Sequence, residues 1–337
     1  MKFQALSTTD DFFKNIDLRP LEPEIIKTVE KQLNFKAEKV IWRSVYNDQR
    51  VGAFHIKGVL TENGGEKAVI VKIQGPKPAI SEVEMIKQFE QQNKSKIIRA
   101  PKIYHYIHWN ATKKYEVIVM EEIVGEYVLE HGKVSSADKI QEFYATLEEY
   151  KTHCITKPWL YEPKKHSYKK FFFQDLKTIR LERKDHTLIN ATDEKLISHA
   201  VEKLDTLLVM EDLEFMHGHI SVYDFIKYQN QVIIFSNLFW KYRWPLYDFV
   251  FGYMWQILEL AHWEEKTIIH QMRLWQKTMQ GTKVVKKYGE RALNIALLER
   301  HVAALNLDFF MVPNDDDKKK IKTILIEEIK RLLNSIE

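Results

Sequence analysis

The chain has 337 residues, 45% of them hydrophobic and 29% charged, a composition typical of a globular protein that buries a sizeable core. Its net charge of +4 is mild, so it permits an anionic ligand, and we do not expect nucleic acid as a partner. A single cysteine, Cys154, excludes an intramolecular disulfide and any multi-cysteine metal site.

No segment has the features of a secretory signal or a membrane anchor. The N-terminal residues lack the apolar core of a signal peptide. The longest apolar region, 249–260, falls short of the roughly 18 residues that a spanning helix needs, and Gly252, Gln256 and Glu259 interrupt it. With the single cysteine, these features predict a cytoplasmic protein without a membrane partner.

The N-terminal part predicts a short helical extension followed by a small antiparallel sheet. Residues 1–36 contain good N-cap residues and two short helical patterns. β-branched and aromatic runs then predict three strands, at Val40–Trp42, Val51–Leu60 and Ala68–Ile73. A hairpin turn is expected at Thr61–Gly65, because Asn-Gly and Gly-Gly tolerate the positive φ of such turns.

A helix and two more strands complete this first lobe, which we place at residues 37–122. Ser81 and the acidic residues after it predict a helix that ends near Asn93. Residues 102–109 and 115–120 predict strands. The order of elements is therefore β-β-β-α-β-β.

Residues 123–337 predict a second, mainly helical lobe. Helical periodicity is expected at 135–153, 166–182, 193–214, 246–262, 264–280, 286–305 and 316–335. A strand pair within the segment from His217 to Asp248, with its clearest strand at Val232–Phe235, is the exception. The chain is therefore an α+β protein.

Lys72 adds a specific feature to the predicted order of strands and helix. It lies within the apolar strand Ala68–Ile73, where lysine is a poor fit. A small sheet with one inserted helix, followed by a helical lobe, resembles the protein-kinase-like fold. In that fold a third-strand lysine binds the nucleotide phosphates and pairs with a glutamate on the next helix. Glu84, ahead of Glu82, is the expected partner. The alternative is a lysine at the sheet edge whose ammonium reaches water.

The segment Tyr115–Gly125 resembles the last strand and the hinge of a kinase N-terminal lobe. The hinge backbone of a kinase binds the adenine ring, so the resemblance implies nucleotide contacts from Met120 to Ile123. The alternative is a buried strand that ends in a charged turn.

The ends of the segment from His217 to Asp248 carry the resemblance to one branch of this fold. His217-Gly218 and Pro245-Leu246-Tyr247-Asp248 are similar to the catalytic-loop start and the later helix start of the aminoglycoside phosphotransferase and choline-kinase-like branch. The resemblance covers roughly residues 37–265. It implies a two-lobe kinase-like fold, ATP and Mg²⁺ as cofactors, and a small-molecule hydroxyl as the phosphoryl acceptor.

The middle of the same segment departs from the family pattern. His219 stands where the branch has its catalytic Asp, and Asp224 where it has a metal-binding Asn, so Asp224 is the candidate metal ligand. The second metal-binding Asp should fall within 234–237, where Ser236 and Asn237 are weak neutral ligands. His219 could act as a general base, or it is a loop histidine bound by backbone groups.

Two further loops also differ from a phosphate-binding kinase. The loop at 43–52 has one glycine, so few backbone N–H groups could approach phosphates; Arg43 and Arg50 could supply charge, or the loop is a plain hairpin tip. The segment 238–244 is aromatic and basic, a composition that can stack an anionic ring compound. We favour the alternative that its rings plug a cleft or pack against a neighbouring helix.

Together these features predict a pseudokinase that keeps the fold, lacks ordinary Mg²⁺-dependent phosphoryl transfer, and retains binding of a small molecule or a protein partner. One alternative is an active ATP-dependent phosphotransferase that uses Lys72, Glu84, His219 and Asp224. Another is an anionic-ligand or nucleic-acid binding module that uses residues 238–244.

Overall fold

The structure, a computed structural model, describes residues 16–46, 50–62, 64–77, 80–155, 157–163, 167–172 and 188–336. These residues form two compact units. The first comprises the described residues up to Gln91 together with Ala100–Gly125. The second comprises Gln92–Arg99 and the described residues from Glu126 onward.

Strands dominate the first unit and helices the second. In chain order the strands are β1 (Phe35–Tyr46), β2 (Arg50–Glu62), β3 (Gly65–Gln74), β4 (Ile98–Arg99), β5 (Ile103–Ile107), β6 (Glu116–Glu121), β7 (Glu126–Tyr127), β8 (Glu214–Met216), β9 (Phe225–Tyr228), β10 (Gln231–Ile234) and β11 (Lys241–Arg243). The α-helices are α1 (Glu22–Leu33), α2 (Glu82–Gln92), α3 (Ala137–His153), α4 (Tyr168–Phe171), α5 (Ala191–Leu207), α6 (Tyr247–Glu259), α7 (Glu265–Gly281), α8 (Lys283–Tyr288), α9 (Glu290–Ala303) and α10 (Asp315–Ile336). None of these described helices combines the length and the apolar character needed to cross a membrane.

A five-stranded antiparallel sheet, in the order β1-β2-β3-β6-β5, forms the centre of the first unit. Side chains alternate along a strand, so Val69, Val71 and Ile73 of β3 share one face. They are fully buried in one cluster with Ile25 and Val29 of α1. Burial of each such side chain contributes roughly 1.5–3 kcal/mol, which holds α1 on the sheet.

The opposite face of this sheet packs against α2. Val83 of the helix lies in one cluster with Ile118 and Met120 of β6, and Ile70 of β3 packs beside them. Lys72 follows Ile70 by two positions, so it projects to the same face. The sheet thereby presents a lysine to the helix that follows it in the chain.

The second unit contains two small sheets within a helical framework. One has the order β4-β10-β9-β7, in which β4 and β10 are parallel and the other neighbours antiparallel. β8 and β11 form a separate antiparallel pair. Buried aromatic residues of α3 and α7, among them Phe143, Tyr144 and Trp275, contact one another at edge-on angles.

The structure confirms the predicted α+β class. It also confirms the order of three strands, a helix and two strands in the first unit, although β4 lies between α2 and β5 and belongs to the second unit. The helices expected at 135–153, 246–262, 264–280 and 316–335 agree with α3, α6, α7 and α10 to within a few residues.

The helix predicted at 193–214 is too long. α5 ends at Leu207, Leu208 has an extended backbone, and the strand β8 follows at Glu214–Met216. Apolar residues between 208 and 216 fit a helical period as well as a strand, so the sequence pattern could not separate the two. Residues 214–216 form a strand because they pair with β11, which lies later in the chain.

Parts of four predictions lie outside the described residues. They are the start of the N-terminal helical extension before residue 16, the tip of the loop at 47–49, residue 63 of the hairpin turn, and the part of the 166–182 helix from residue 173 onward.

Candidate functional site

Lys72 forms an ion pair with Glu82 in the first unit. Lys72 lies in β3 opposite His55 of β2 and Ile118 of β6, and Glu82 is the first residue of α2. The two side chains are 12% and 5% exposed, so removal of either would leave the charge of the other largely buried. The sequence favoured Glu84 over Glu82 as the partner of Lys72, and the structure pairs Lys72 with Glu82.

Glu84, the partner favoured from the sequence, does not contact Lys72. Its carboxylate accepts a hydrogen bond from Gln88 Nε2 at 2.9 Å, and its backbone N–H donates to Ser81 Oγ at 3.2 Å. Helical positions are about 100° apart, so residues two apart point to nearly opposite sides of the helix. Glu82 therefore faces the sheet, and Glu84 does not.

A second buried carboxylate, Glu116 of β6, lies close to this pair. It accepts hydrogen bonds from Gln74 Nε2 at 3.0 Å and from the Tyr106 hydroxyl at 2.7 Å. Burial raises the pKa of Glu116 to about 7, although the Tyr106 hydroxyl and the charge of Lys72 act in the opposite direction. A carboxyl group that changes protonation near neutral pH thus lies beside the Lys72 ammonium.

Met120 and Ile123, the predicted hinge contacts, lie at and beyond the end of β6. Met120 is 6% exposed and is flanked in the sheet by Ile70 of β3 and Ile103 of β5. Its backbone is therefore part of the sheet ladder. Ile123 is half-buried and lies outside the strand, so of the two it better fits a backbone contact to a ligand.

In the second unit, two buried side chains hold the backbone of His217 and Gly218. The Tyr150 hydroxyl accepts a hydrogen bond from His217 N–H at 2.7 Å, and Asp248 Oδ1 accepts one from Gly218 N–H at 2.8 Å. The Tyr150 hydroxyl also donates to Asp248 Oδ2 at 3.3 Å. Burial raises the pKa of Asp248 to about 6, partly opposed by the hydrogen bond from Gly218. Helices α3 and α6 thereby fix the start of the predicted catalytic loop.

His217 has a structural role. It is fully buried, and its Nε2–H donates to the Phe235 carbonyl at 2.8 Å. Its ring lies edge-on to Trp240, with centroids 5.1 Å apart. Burial lowers the pKa of His217 to about 4, so the ring is neutral at physiological pH. It connects the loop to the residue after β10.

His219 and Asp224, the predicted catalytic residues, lie together. His219 Nδ1 is 3.6 Å from Asp224 Oδ2, and the side chains are 26% and 4% exposed. Asp224 Oδ2 also accepts hydrogen bonds from the Ser221 backbone N–H at 2.7 Å and the Ser221 hydroxyl at 2.6 Å. Burial alone would raise the pKa of Asp224, but His219, His217 and Ser221 stabilise the carboxylate and lower its pKa below the usual value.

Aromatic rings surround the imidazole of His219. Phe239 stacks on it with centroids 4.3 Å apart and ring planes at 18°, and Phe251 and Trp255 lie at 4.9 and 5.7 Å. Phe239 covers one face of the imidazole, so a ligand can reach the ring only from its remaining sides. The surroundings of His219 are thus packed against an imidazole ring.

The loop at 234–237 contains no carboxylate, and Asn237 is engaged within it. Its Nδ2 donates to the Ile234 carbonyl at 2.9 Å, and its Oδ1 accepts from Trp240 Nε1 at 3.3 Å. Asn237 is fully buried, and the preceding Ser236 has a left-handed backbone with φ of 58°. Both ends of the Asn237 amide therefore stabilise the turn and do not face a ligand.

The tryptophans of segment 238–244 are core residues. Trp240 is 1% exposed and packs against Trp159 and Phe215, and Trp244 is 8% exposed and packs against Tyr168. This agrees with the interpretation that the rings pack internally. It contradicts the alternative in which Trp240 stacks on a ligand, because its ring has no accessible face.

The described residues of the second unit do not fit a kinase-type Mg²⁺ site. In the part of the chain that the structure describes, no group of three or more His, Cys, Asp or Glu side chains is placed to hold a metal ion. Asp224 is a single carboxylate already bound by Ser221, and Asn237 is internal. Mg²⁺ needs several hard oxygen ligands in octahedral geometry, which this pair does not supply.

The sequence did not indicate Tyr150, Glu116 or Lys241 as site residues. Tyr150 stands 67 positions before His217, and a tyrosine in an amphipathic helix has the pattern of an ordinary core residue. Glu116 nevertheless has a feature that could have indicated it. It is a charged residue at the start of an apolar strand, as Lys72 is a charged residue within one. Lys241 lies beside Gly218 only because β11 pairs with β8, which the sequence did not predict.

Comparisons with known proteins place this fold. No family model matches the chain, and no curated protein matches its sequence. Amicoumacin kinase hAmiN, solved in complex with AMP-PNP, Ca²⁺ and Ami, is similar with a TM-score of 0.53 at 14% identity, over 92% of this chain and 93% of that chain. Choline kinase from Cryptosporidium parvum Iowa II is similar with a TM-score of 0.51 at 14% identity, over 93% of this chain and 97% of that chain.

The fold is therefore the protein-kinase-like fold, with an antiparallel-sheet N-terminal part and a helical C-terminal part. Two solved structures that share it are an amicoumacin kinase and a choline kinase, and the likeness extends over most of this chain. At 14% identity the likeness establishes the fold, while activity depends on the residues of this chain.

Proposed function

We propose that this protein is a pseudokinase of the small-molecule kinase branch, which lacks ordinary Mg²⁺-dependent phosphoryl transfer and binds a small molecule or a protein partner. The internal hydrogen bonding of Asn237 is the observation that carries the proposal. Both ends of its amide are used within the loop, at the place where the branch supplies its principal metal-binding carboxylate.

Electrostatics explain why this loss matters for the rate. Phosphoryl transfer depends on metal ions that neutralise the charge developing on the transferred group. Here one carboxylate, Asp224, remains, and Ser221 and His219 already stabilise it. A site with one occupied carboxylate would bind Mg²⁺ weakly, and the reaction would be slower by several powers of ten.

Nucleotide binding without turnover is compatible with the first unit. The Lys72–Glu82 pair corresponds to the pair that holds nucleotide phosphates in kinases, and amicoumacin kinase hAmiN was solved with AMP-PNP and Ca²⁺. ATP is therefore the first ligand to test. If it binds, its affinity should depend little on Mg²⁺, because the carboxylates that couple metal to nucleotide are missing.

The test combines calorimetric titration of ATP, with and without Mg²⁺, and a turnover assay. We expect no Mg²⁺-dependent ATP consumption. Lys72→Ala should abolish any ATP binding, whereas Lys67→Ala, in the same strand but 45% exposed and paired with Glu62, should not. Robust Mg²⁺-dependent consumption that disappears in Lys72→Ala and persists in Lys67→Ala would overturn the proposal.

A second candidate function is an active small-molecule phosphotransferase with a non-standard site. The 3.6 Å contact between His219 and Asp224 favours it, because a carboxylate beside an imidazole can orient the ring as a general base. It predicts that His219→Ala and Asp224→Ala each abolish turnover while the protein stays folded by circular dichroism.

A further inference from the structure

Lys241 and Arg243 project from the same side of strand β11. Side chains two positions apart in a strand share a face, and Tyr242 between them points the other way, towards Phe215. Pairing of β11 with β8 places Lys241 opposite Met216, the residue just before the His-Gly-His sequence. The strand pair thus brings two basic side chains to the predicted catalytic loop.

The side chain of Lys241 lies directly across Gly218. A Cβ at Gly218 would be 2.8 Å from Lys241 Cγ and 2.9 Å from its Cε, so any larger residue would displace the lysine. The Lys241 ammonium lies 5.9 Å from the centroid of Phe239, whose ring stacks on His219. The ammonium therefore belongs to the same cluster as the imidazole that replaces the catalytic carboxylate.

Lys241 has an unusual electrostatic environment. No carboxylate of the described residues forms an ion pair with it. Burial and the neighbouring charge of Arg243 lower its pKa well below the usual value, and the effect of Asp248 only partly offsets this. Partial burial of an ammonium without an anionic partner is unfavourable, and such a group is a natural site for an anion.

Arg243 also has hydrogen-bonding capacity that the protein does not use. Its guanidinium lies over the rings of Tyr247 and Phe171, at 4.9 and 5.7 Å, and its buried Nε has no partner in the described part of the chain. Arg300, the third cation nearby, differs because it pairs with Asp308 and donates to the Tyr247 hydroxyl. Within the part of the chain that the structure describes, neither Lys241 nor Arg243 forms an ion pair, although the charge of Arg243 acts on the buried Glu299 carboxyl.

We propose that Lys241 and Arg243 form a binding site for a phosphate group of a small molecule, beside His219. An ammonium supplies a point charge and a guanidinium a planar fork of donors, a combination suited to the oxygens of a phosphate. Both side chains are half-buried, so a ligand can reach them from solvent. The proposal rests on the proposed function in one respect, since it names the chemistry of the ligand bound near the altered catalytic loop.

The primary experiment titrates the full chain with inorganic phosphate and, separately, with phenyl phosphate, at low ionic strength and without nucleotide or metal. Lys241→Met, which keeps the length of the side chain across Gly218, should weaken binding of both by about tenfold or more. Tighter binding of phenyl phosphate than of inorganic phosphate would identify a monoester as the ligand, and equal binding would identify free phosphate.

Lys322→Met is the matched control. Lys322 is also half-buried in the second unit, but it pairs with Asp193 at 2.9 Å, so its removal should leave phosphate binding unchanged. Absence of phosphate binding in the wild-type protein, or equal affinity in wild type and Lys241→Met, would overturn the proposal. Neither result bears on Mg²⁺-dependent ATP turnover, so failure here and failure of the proposed function are distinguishable.

A second measurement reports on Lys241 itself. After reductive ¹³C-methylation, the NMR signal that is absent from Lys241→Met gives the pKa of this lysine. Phosphate should raise that pKa, because a nearby anion favours the ammonium form, with Arg243, Arg300 and Asp248 as the charged groups around it. No change in the pKa on addition of phosphate would contradict the assignment even if phosphate binds elsewhere.

Discussion

Asp248 accepts a hydrogen bond from the backbone N–H of Gly218 at 2.8 Å, and this contact fixes the catalytic-type loop from the first turn of α6. The contact involves the backbone of the loop and not its reactive side chains. The conformation of the loop at Gly218 therefore does not depend on the side chain of His219, which follows it.

The first prediction concerns the hydroxyl of Tyr150. Tyr150→Phe removes the acceptor of His217 N–H and the donor to Asp248, so two buried polar groups lose a partner. We expect the free energy of unfolding to fall by about 2–4 kcal/mol in urea titrations. Tyr228→Phe, at a half-buried tyrosine whose hydroxyl makes no hydrogen bond within the described residues, should cost far less. Similar losses in both variants would contradict the role assigned to Tyr150.

The second prediction concerns pH and Glu116. The folded protein raises its pKa from 4.5 to about 7, so the folded state holds the proton more tightly than the unfolded state. Its contribution to stability is therefore complete below pH 4.5 and is lost as the pH rises through 7, by at most about 3 kcal/mol.

Glu116→Gln cannot ionise, and its amide oxygen can still accept from one of the two donors, Gln74 or Tyr106; the loss of the other hydrogen bond does not depend on pH. In urea titrations from pH 4.5 to 8, the stability of this variant relative to wild type should therefore rise with pH. A difference between the two proteins that is constant over this range would show that Glu116 does not titrate as expected.

The N-terminal sheet was predictable because its strands are long and local. β1, β2 and β3 are joined by short connections, and the β-branched run Val69–Ile73, interrupted only by Lys72, is visible in the sequence. The partner of Lys72 was harder to predict from the sequence. Glu82 and Glu84 lie on different sides of the same helix, and which of them faces the sheet depends on where the helix begins, which the sequence does not define to within two residues.

The candidate site of the second unit could be predicted only in part. The pairs His217-Gly218 and Tyr247-Asp248 were recognisable as a local pattern. The stacking of His219 on Phe239 and the use of Asn237 by Trp240 depend on how a turn closes, which residue types alone do not determine. Contacts across the β8–β11 pair, including Lys241 over Gly218, depend on a strand whose apolar residues also fit a helix.

The third prediction concerns Arg300, which is 1% exposed, pairs with Asp308 and donates to the Tyr247 hydroxyl at 3.0 Å. Arg300→Met leaves the Asp308 carboxylate buried without its cation, and should cost about 3–5 kcal/mol of unfolding free energy. Arg291→Met, at an exposed arginine of the same helix, should cost under about 1 kcal/mol. The double variant Arg300→Met/Asp308→Leu should be more stable than Arg300→Met, because it removes the Asp308 carboxylate together with its cation; a double variant that is less stable would contradict this.

The last prediction tests whether the site is now built for an imidazole. His219→Asp would restore the acidic residue of the family pattern, but it would lose the stacking on Phe239 and place a second carboxylate beside Asp224. His219→Asn is the matched control, since Asn has nearly the same size as Asp and no charge.

At pH 8 we expect the Asp variant to be less stable than the Asn variant by about 1–3 kcal/mol. The repulsion raises the folded pKa of the new carboxyl group, so this difference should shrink as the pH falls towards 4.5 and the group becomes protonated. Urea titrations at both pH values measure it, and equal stability of the two variants at pH 8 would mean that the position still accommodates a carboxylate, which would favour the active-enzyme candidate over the pseudokinase.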